Sequence, residues 1–339
     1  MRHLLLICLL ALAGLPGLAR AVELKLATIA PEGSGWMKDL RAAGKEVAER
    51  TGGRVVIKFY GGGIQGPDKK VLRKIRIGQL QGGIFTANGL AERYKDMNLY
   101  GLALLFNSQA EVDYVRSKLD ATLAAGLDAA GFATYGFAGG GFAYLMANKP
   151  VKRLDDLRSQ KVWLPEGDEA SFAAMQALNL SPVVLPVTDV MTGLETGLLD
   201  IVASPPVAAV VLQWYTKVKY VTVQPLSYTM GVLAIDKQAL APVSAADQAV
   251  LREVMAKLYA RLDRQGLADN VKAEEALKAN GLQFVVPDAD ELARWRTVVE
   301  PANAQLAAKG VVSGDLLQQL QKHLADFRAG VPAVAGSGR

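Results

Sequence analysis

The sequence predicts an α/β protein folded in two lobes. Strands and helices alternate from Val22 to Thr86 and again from Phe132 to Ile235, the pattern of a sheet flanked by helices. The chain has 339 residues, too many for one ordinary hydrophobic core. Its C-terminal part turns helical, and one run from Ser244 to Asn280 is longer than a helix inside a single lobe needs.

Val22, Leu24 and Leu26 alternate with Glu23 and Lys25, so a half-buried strand runs to Ile29. Pro31-Glu32-Gly33 turns the chain, and Ser34 is placed to cap a helix that runs to Arg50 and stops at Gly52-Gly53. Arg54 to Tyr60 is the second strand. Pro67 opens a second helix carrying Val71, Leu72, Ile75 and Leu80, and Gly83 to Thr86 is the third strand. Strand, helix, strand, helix, strand at this spacing implies parallel pairing. No element is assigned from Asn88 to Gly131.

Phe132 to Ala138 reads as a strand that ends at Gly139-Gly140-Gly141. Strands follow at Val162–Leu164, Val183–Leu185, Ile201–Ala203 and Met230–Ile235. Between them fall a helix from Asp168 to Leu178, one capped by Thr188 through Leu199, and one begun by Pro205-Pro206 that includes Trp214 and Tyr215. Ser244-Ala245-Ala246-Asp247 resembles a capping box. The helix behind it either crosses both lobes or breaks near Gly266. A late strand at Leu282–Val286 and helices at 289–309 and 314–328 complete the chain.

The ends bound the location. Arg2, the apolar run Leu4 to Leu18 and the A-x-A site Ala19-Arg20-Ala21 form an export signal over residues 1–21. An apolar run of about 15 residues is short for a membrane span. The single cysteine, Cys8, lies inside that signal, so the mature chain has no thiol chemistry. Basic residues number 38 against 33 acidic ones. That small excess is spread along the chain, without the footprint of a nucleic-acid surface. No later segment spans a membrane.

Few residues suit catalysis. Gly61, Gly63 and Gly66 spell G-x-G-x-x-G between a strand and a helix, but the next strand ends Ile84-Phe85-Thr86-Ala87-Asn88, without the acid that would hold a ribose. A flexible strand-to-helix turn is the simpler reading. The mature chain has one histidine, His323, hence no zinc spacing and no Cys–His pair. No metal, cofactor or enzyme activity is expected. Trp36, Trp163 and Trp214 fall near strand-to-helix junctions, where open α/β sheets hold ligands.

A series of short pieces runs through the chain in a fixed order. It begins with Leu26-Ala27-Thr28, Pro31-Glu32-Gly33-Ser34 and Trp36, then the Gly61–Gly66 turn and Lys74-Ile75-Arg76-Ile77-Gly78. Asn148-Lys149-Pro150-Val151, Leu154-Asp155-Asp156-Leu157 and Leu185-Pro186-Val187-Thr188-Asp189-Val190 follow, through Asp200. In this order they resemble the DctP-like substrate-binding P component of the TRAP (tripartite ATP-independent periplasmic) transporters. The resemblance covers residues 22–325. It implies a two-lobed fold of the periplasmic-binding-protein class II type with a long interlobe helix. It also implies a periplasmic protein that captures a small molecule between its lobes and delivers it to integral membrane transporter subunits. Lobe I is expected over 22–140 and 229–268, lobe II over 141–228 and 269–328, with a disordered tail at 329–339.

The resemblance also implies a ligand grip, and here the chain departs from it. Relatives carry a carboxylate-binding arginine where this chain has Trp163, and often a second where it has Ala143. Their Asn-Pro at the interlobe helix reads Ser204-Pro205 here, a polar strand-end residue reads Thr86, and a pocket aromatic reads Val187. With Phe142, Met191 and Trp214, these residues make the expected ligand site. A carboxylate in a closed cleft needs a paired cation, and arginine matches it bidentately. Tryptophan offers one N–H and an apolar face. The expected ligand is therefore apolar or weakly polar. Two alternatives stand beside it. Arg76, Arg93 or Lys149 would supply a relocated grip for an acid, or the protein would serve as a sensor or scaffold partner without transport.

Overall fold

The computed structural model describes residues 21–330. The export signal and most of the expected tail lie outside them. The N-terminal strands form as their alternation requires. β1 (Val22–Thr28) pairs in parallel with β2 (Val55–Tyr60) and with β3 (Gly82–Thr86). Between β1 and β2 lies α1 (Gly35–Arg50), whose first turn is closed by Ser34 Oγ accepting the Met37 N–H at 3.2 Å. Between β2 and β3, α2 (Asp68–Arg76) stops four residues before Leu80, which is buried beyond the helix end.

A 21-residue helix, α3 (Gln109–Ala129), occupies part of the stretch left unassigned. Ser108 Oγ caps it by accepting the Glu111 N–H. Its buried stripe, Val112, Val115, Leu119 and Leu123, is separated by charged and small residues that hide the period.

Two long antiparallel strands join the halves. After the two-residue β4 (Phe132–Ala133) comes β5 (Phe137–Ala147), which runs straight through the triple glycine instead of ending there. Register shifts at Gly139/Gly141 and Ala143/Leu145 absorb the irregularity. The second half adds β6 (Trp163–Pro165), α4 (Glu169–Ala177), β7 (Val183–Leu185), α5 (Val190–Glu195), β8 (Ile201–Ser204) and α6 (Pro206–Val211). Thr188 does not cap α5, since its hydroxyl donates to Asp189 Oδ1. Trp214 lies beyond α6, past Gln213, whose φ of 61° ends the helix. The expected strand at Met230–Ile235 is the end of a 17-residue strand, β9 (Tyr220–Asp236). The main sheet runs β2-β1-β3-β9-β5-β8.

α7 (Ala245–Ala279) is one unbroken helix of 35 residues, capped by Ser244 Oγ on the Asp247 N–H. Gly266 does not interrupt it. β10 (Gln283–Val285), α8 (Ala289–Ala304) and α9 (Gly314–Arg328) follow.

Cores flank both halves. Leu24, Met37, Val47, Leu251 and Tyr259 pack in one cluster of the first half, and Val71, Phe85, Leu119 and Val232 in another. In the second half, successive residues along each strand part company. Leu145, Val162 and Ile201 join one cluster with Trp295, and Met146, Trp163 and Val202 join another with Trp214. Alternation of side chains puts these clusters on opposite faces of the sheet. The leucines of α9, Leu316, Leu317 and Leu320, pack with Val112 and Leu119. The last helix thus rests on the first half, although its place in the sequence suggested lobe II. The chain had already returned across the molecule by Leu306.

Candidate ligand-binding site

The halves meet around a cavity of about 370 Å³, within the ordinary span of small-molecule pockets, roughly 300–1,000 Å³. It is built where strands give way to helices. From the first half come the end of β1 with Thr28, Trp36 on α1, and the end of β3 with Thr86. From the second half come Trp163 and Pro165 on β6, Ser204 and Pro205 at the β8–α6 junction, and Val187. Gly139 and Gly140 on β5 and Gly266 on α7 face it where the long elements cross.

Six of the eight expected site residues line the cavity, namely Thr86, Ala143, Trp163, Val187, Ser204 and Trp214. Two do not. Phe142, neighbour of Ala143 on β5, is not on the wall and packs edge-on against its cross-strand partner Tyr228, which is, with ring centroids 5.4 Å apart. Met191 packs against the cluster that holds Trp163 and Trp214 without reaching the wall. The sequence reading left Trp295 out of the site. Together with Trp36 it completes the set, so that all four tryptophans of the chain line one cavity. The apolar stripe of α8 (Leu292, Trp295, Val299) reads in sequence as ordinary core, and nothing local marks it as a cavity wall.

The polar hydrogens of Trp163, Ser204 and Thr86 are already spent. Trp163 is 4% exposed, and its indole N–H donates to the Leu185 carbonyl at 2.9 Å. Its ring stands edge-on to Trp214 at 5.3 Å between centroids, a favoured aromatic geometry. Ser204 Oγ donates to the Pro205 carbonyl and Thr229 Oγ1 to the Gly141 carbonyl, each at 3.0 Å. Thr86 Oγ1 donates to Asp68 Oδ2 at 2.9 Å. What these residues turn toward a ligand is carbon and acceptor oxygen.

No lysine, arginine, histidine or glutamate lines the cavity among the described residues. Its carboxylates are Asp168 and Asp269. Asp168 caps α4 by accepting the Ser171 N–H at 2.9 Å, and burial pushes its carboxyl above the usual range. Behind Thr86, burial raises Asp68 to about 6, and the neighbouring charge of Glu166 adds to the rise. The candidate cations stand elsewhere. Arg93 lies over the Phe132 ring, and Arg76 and Lys149 are exposed, none of them on the wall. His323 lies edge-on to Tyr114 on the C-terminal helix.

The glycine turn serves the fold. The N–H groups of Gly62 and Gly63 donate to the carbonyls of Ala30 and Thr28, so they are not free to cradle phosphate. Asp68, at the first position of the following helix, would repel an anion there. The turn instead reaches across the cleft, since a Cβ on Gly63 would come within 2.6 Å of Thr188 Cγ2.

Residues 26–310 match the family described as bacterial extracellular solute-binding protein, family 7. The chain belongs to this family. The C4-dicarboxylate-binding periplasmic protein DctP of Rhodobacter capsulatus is 26% identical over 305 residues, covering 87% of this chain and 89% of that one. Among solved structures, the sugar acid binding protein DctPAm of Advenella mimigardefordensis in complex with galactonate superposes with a TM-score of 0.83, covering 91% and 99% of the two chains at 19% identity. A TRAP periplasmic solute binding protein of Xanthobacter autotrophicus with bound β-D-galacturonate gives 0.80 over 89% and 99% at 19% identity. This family 7 protein is thus a substrate-binding P component of the TRAP type, a periplasmic solute receptor and not an enzyme. Such components take up small molecules and work with membrane transporter subunits. No helix among the described residues is long and apolar enough to cross a membrane.

Proposed function

We propose that this P component captures an uncharged, apolar or weakly polar small molecule between its lobes and hands it to integral membrane transporter subunits. The observation that carries this reading is the cavity wall, on which no cationic side chain stands among the described residues. The two structural relatives described above hold sugar acids. In this chain Trp163 occupies the strand expected to bear the gripping arginine, and its only N–H is bonded to Leu185. A carboxylate moved into this cleft would give up its hydration at a residual cost of several kcal/mol, with no ion pair to offset it.

The same reading divides the chain into lobe I, 22–140 and 229–268, and lobe II from 141–228 and 269 onward, with α9 returning to lobe I. Contacts at the crossing support these boundaries. Asn270 Nδ2 donates to the Gly140 carbonyl at 2.9 Å while its Oδ1 accepts the Val207 N–H at 3.2 Å. Asp263 Oδ1 accepts both the Gly139 N–H and the Arg116 guanidinium.

Native mass spectrometry of the protein purified from periplasmic extract, with the ligand identified after denaturation, tests the reading. A neutral molecule in stoichiometric amount supports it. A small carboxylate in the cleft overturns it.

A further inference from the structure

The cavity is not confined to the cleft between the lobes. Strand β6 shows this most directly. Trp163 belongs to one core cluster of the second half, and Val162 to the cluster on the opposite face. Both line the cavity, as does Leu164. A pocket that merely met the strand ends would touch one of these faces. This one turns around the end of β6 and continues beneath it. Leu145 on β5 and Ala203 on β8 extend the second wall. Leu157, Met175, Leu178, Leu226 and Trp295 supply the rest.

The named walls of this side arm are apolar apart from the Trp295 indole N–H, and the arm lies where a protein would ordinarily pack solid. Interiors are filled to crystal-like density, with few voids larger than a water molecule. An opening between a sheet and its covering helices therefore forfeits dispersion contacts that a ligand can restore. Among the described residues, two on the cavity wall carry a buried polar atom without a hydrogen-bond partner, Asn98 through Oδ1 and Trp295 through Nε1. Asn98 is 3% exposed, and its Nδ2 donates to the Val311 carbonyl, while its Oδ1 has no hydrogen-bond partner. A buried acceptor without a donor is costly, and a hydroxyl on a bound molecule would satisfy it.

We infer that the ligand is a neutral amphiphile whose aliphatic chain enters the arm between the β5–β8–β6 face and helices α4 and α8. This deepens the proposed function and rests on it, since an anionic ligand finds no cationic partner in the cleft among the described residues. The head group stays near Trp163 and Trp214. The chain passes the end of β6 toward Met175, Leu178 and Trp295. The arm then selects for chain length, because each methylene buried there strengthens binding and each one beyond its end does not.

The test is a series of n-alkanols of increasing length, titrated into the full mature chain against the neutral fluorescent probe N-phenyl-1-naphthylamine. The matching alkanoates and galactonate are run in parallel. Affinity should rise by about fourfold per methylene and then reach a plateau where the arm is full. Ala203→Phe narrows the arm without touching the cleft. It should move the plateau to shorter alkanols and leave the shortest ones unchanged. Met175→Phe does the same from the helix side and serves if the first variant fails to fold. Absence of a chain-length dependence, or an unchanged plateau in the folded variants, overturns the arm as a chain site while short neutral ligands still support the parent reading. Tight binding of galactonate or short alkanoates with no binding of alkanols overturns both.

Discussion

A Cβ placed on Gly266 of α7 would overlap the carbonyl oxygen of Gly139 on β5. The interlobe helix and the interlobe strand touch backbone to backbone at this point, and glycine is there to allow it. Gly266→Ala separates two opposing effects. Alanine favours a helix interior by about 1 kcal/mol. Forcing a methyl group against a fixed strand costs about 1–3 kcal/mol. Because Gly139 is itself held by Asp263 through its N–H at 2.7 Å, the strand cannot yield freely and the second effect wins. Urea denaturation should show Gly266→Ala less stable than the parent chain by up to about 2 kcal/mol. A more stable variant would mean that the two backbones are not in contact.

The same glycine shows what could be read from sequence. Period and caps located β1, α1, β2 and α4, because each satisfies its own alternation and its own terminal N–H groups. Gly266 stood out as irregular, but only the facing strand says that it is a contact and not a break. α3 escaped because tertiary packing, and not a clean stripe, stabilises it. At the site, Trp163, Ala143 and Ser204 were legible from the order of short motifs along the chain. Phe142 stands just behind the wall, its ring against that of Tyr228, a contact across two strands that no local motif encodes. Trp295 was invisible, since a cavity wall and a solid core use the same residue types.

Trp163→Phe keeps the aromatic contact with Trp214 and removes the N–H that satisfies Leu185. An unpaired buried carbonyl costs roughly 1–3 kcal/mol, so thermal or urea unfolding should register a loss of that order. Affinity for a neutral probe should change little, because the lost hydrogen never faced the ligand. A large drop in neutral-probe affinity with unchanged stability would reverse the two roles assigned to the ring.

Trp163→Arg inserts a cation into a wall that has none among the described residues. The substitution should abolish retention of the molecule that co-purifies with the parent chain, as read by native mass spectrometry. It should also lower stability by about 3–5 kcal/mol, since lost packing and an unpaired buried charge act together. Retention of the same molecule at the same stoichiometry would remove Trp163 from the site.

Asp68 sets a pH dependence. Burial holds its folded-state carboxyl at about 6, above its ordinary value of 3.8. Between those values the folded chain binds more protons than the unfolded one. The contribution of this group to stability is therefore present at the acid end of the window and lost as pH rises through about 6. Asp68→Asn should flatten that part of the stability profile and raise stability at neutral pH. Melting temperatures from pH 4 to 7 for both proteins, in matched ionic strength, decide it. Parallel profiles would mean that Asp68 titrates normally.

Closure of the cleft has its own contact. Gly63 has a φ of 69°, and a Cβ there would stand 2.6 Å from Thr188 Cγ2 across the cleft. Gly63→Ala carries two penalties, and they belong to different states. The left-handed backbone strains an alanine whether the lobes are open or closed, and so it lowers stability without altering affinity. The methyl group meets Thr188 only when the lobes close, so that collision falls on binding alone. Neutral-probe affinity should drop by about tenfold, the effect of roughly 1–2 kcal/mol of overpacking. Thr188→Ser removes Cγ2, and in the double variant it should restore most of the affinity while leaving the loss of stability in place. If affinity stays low in the double variant, the strain and not the collision is the cause, and the Gly63 turn does not close onto Thr188.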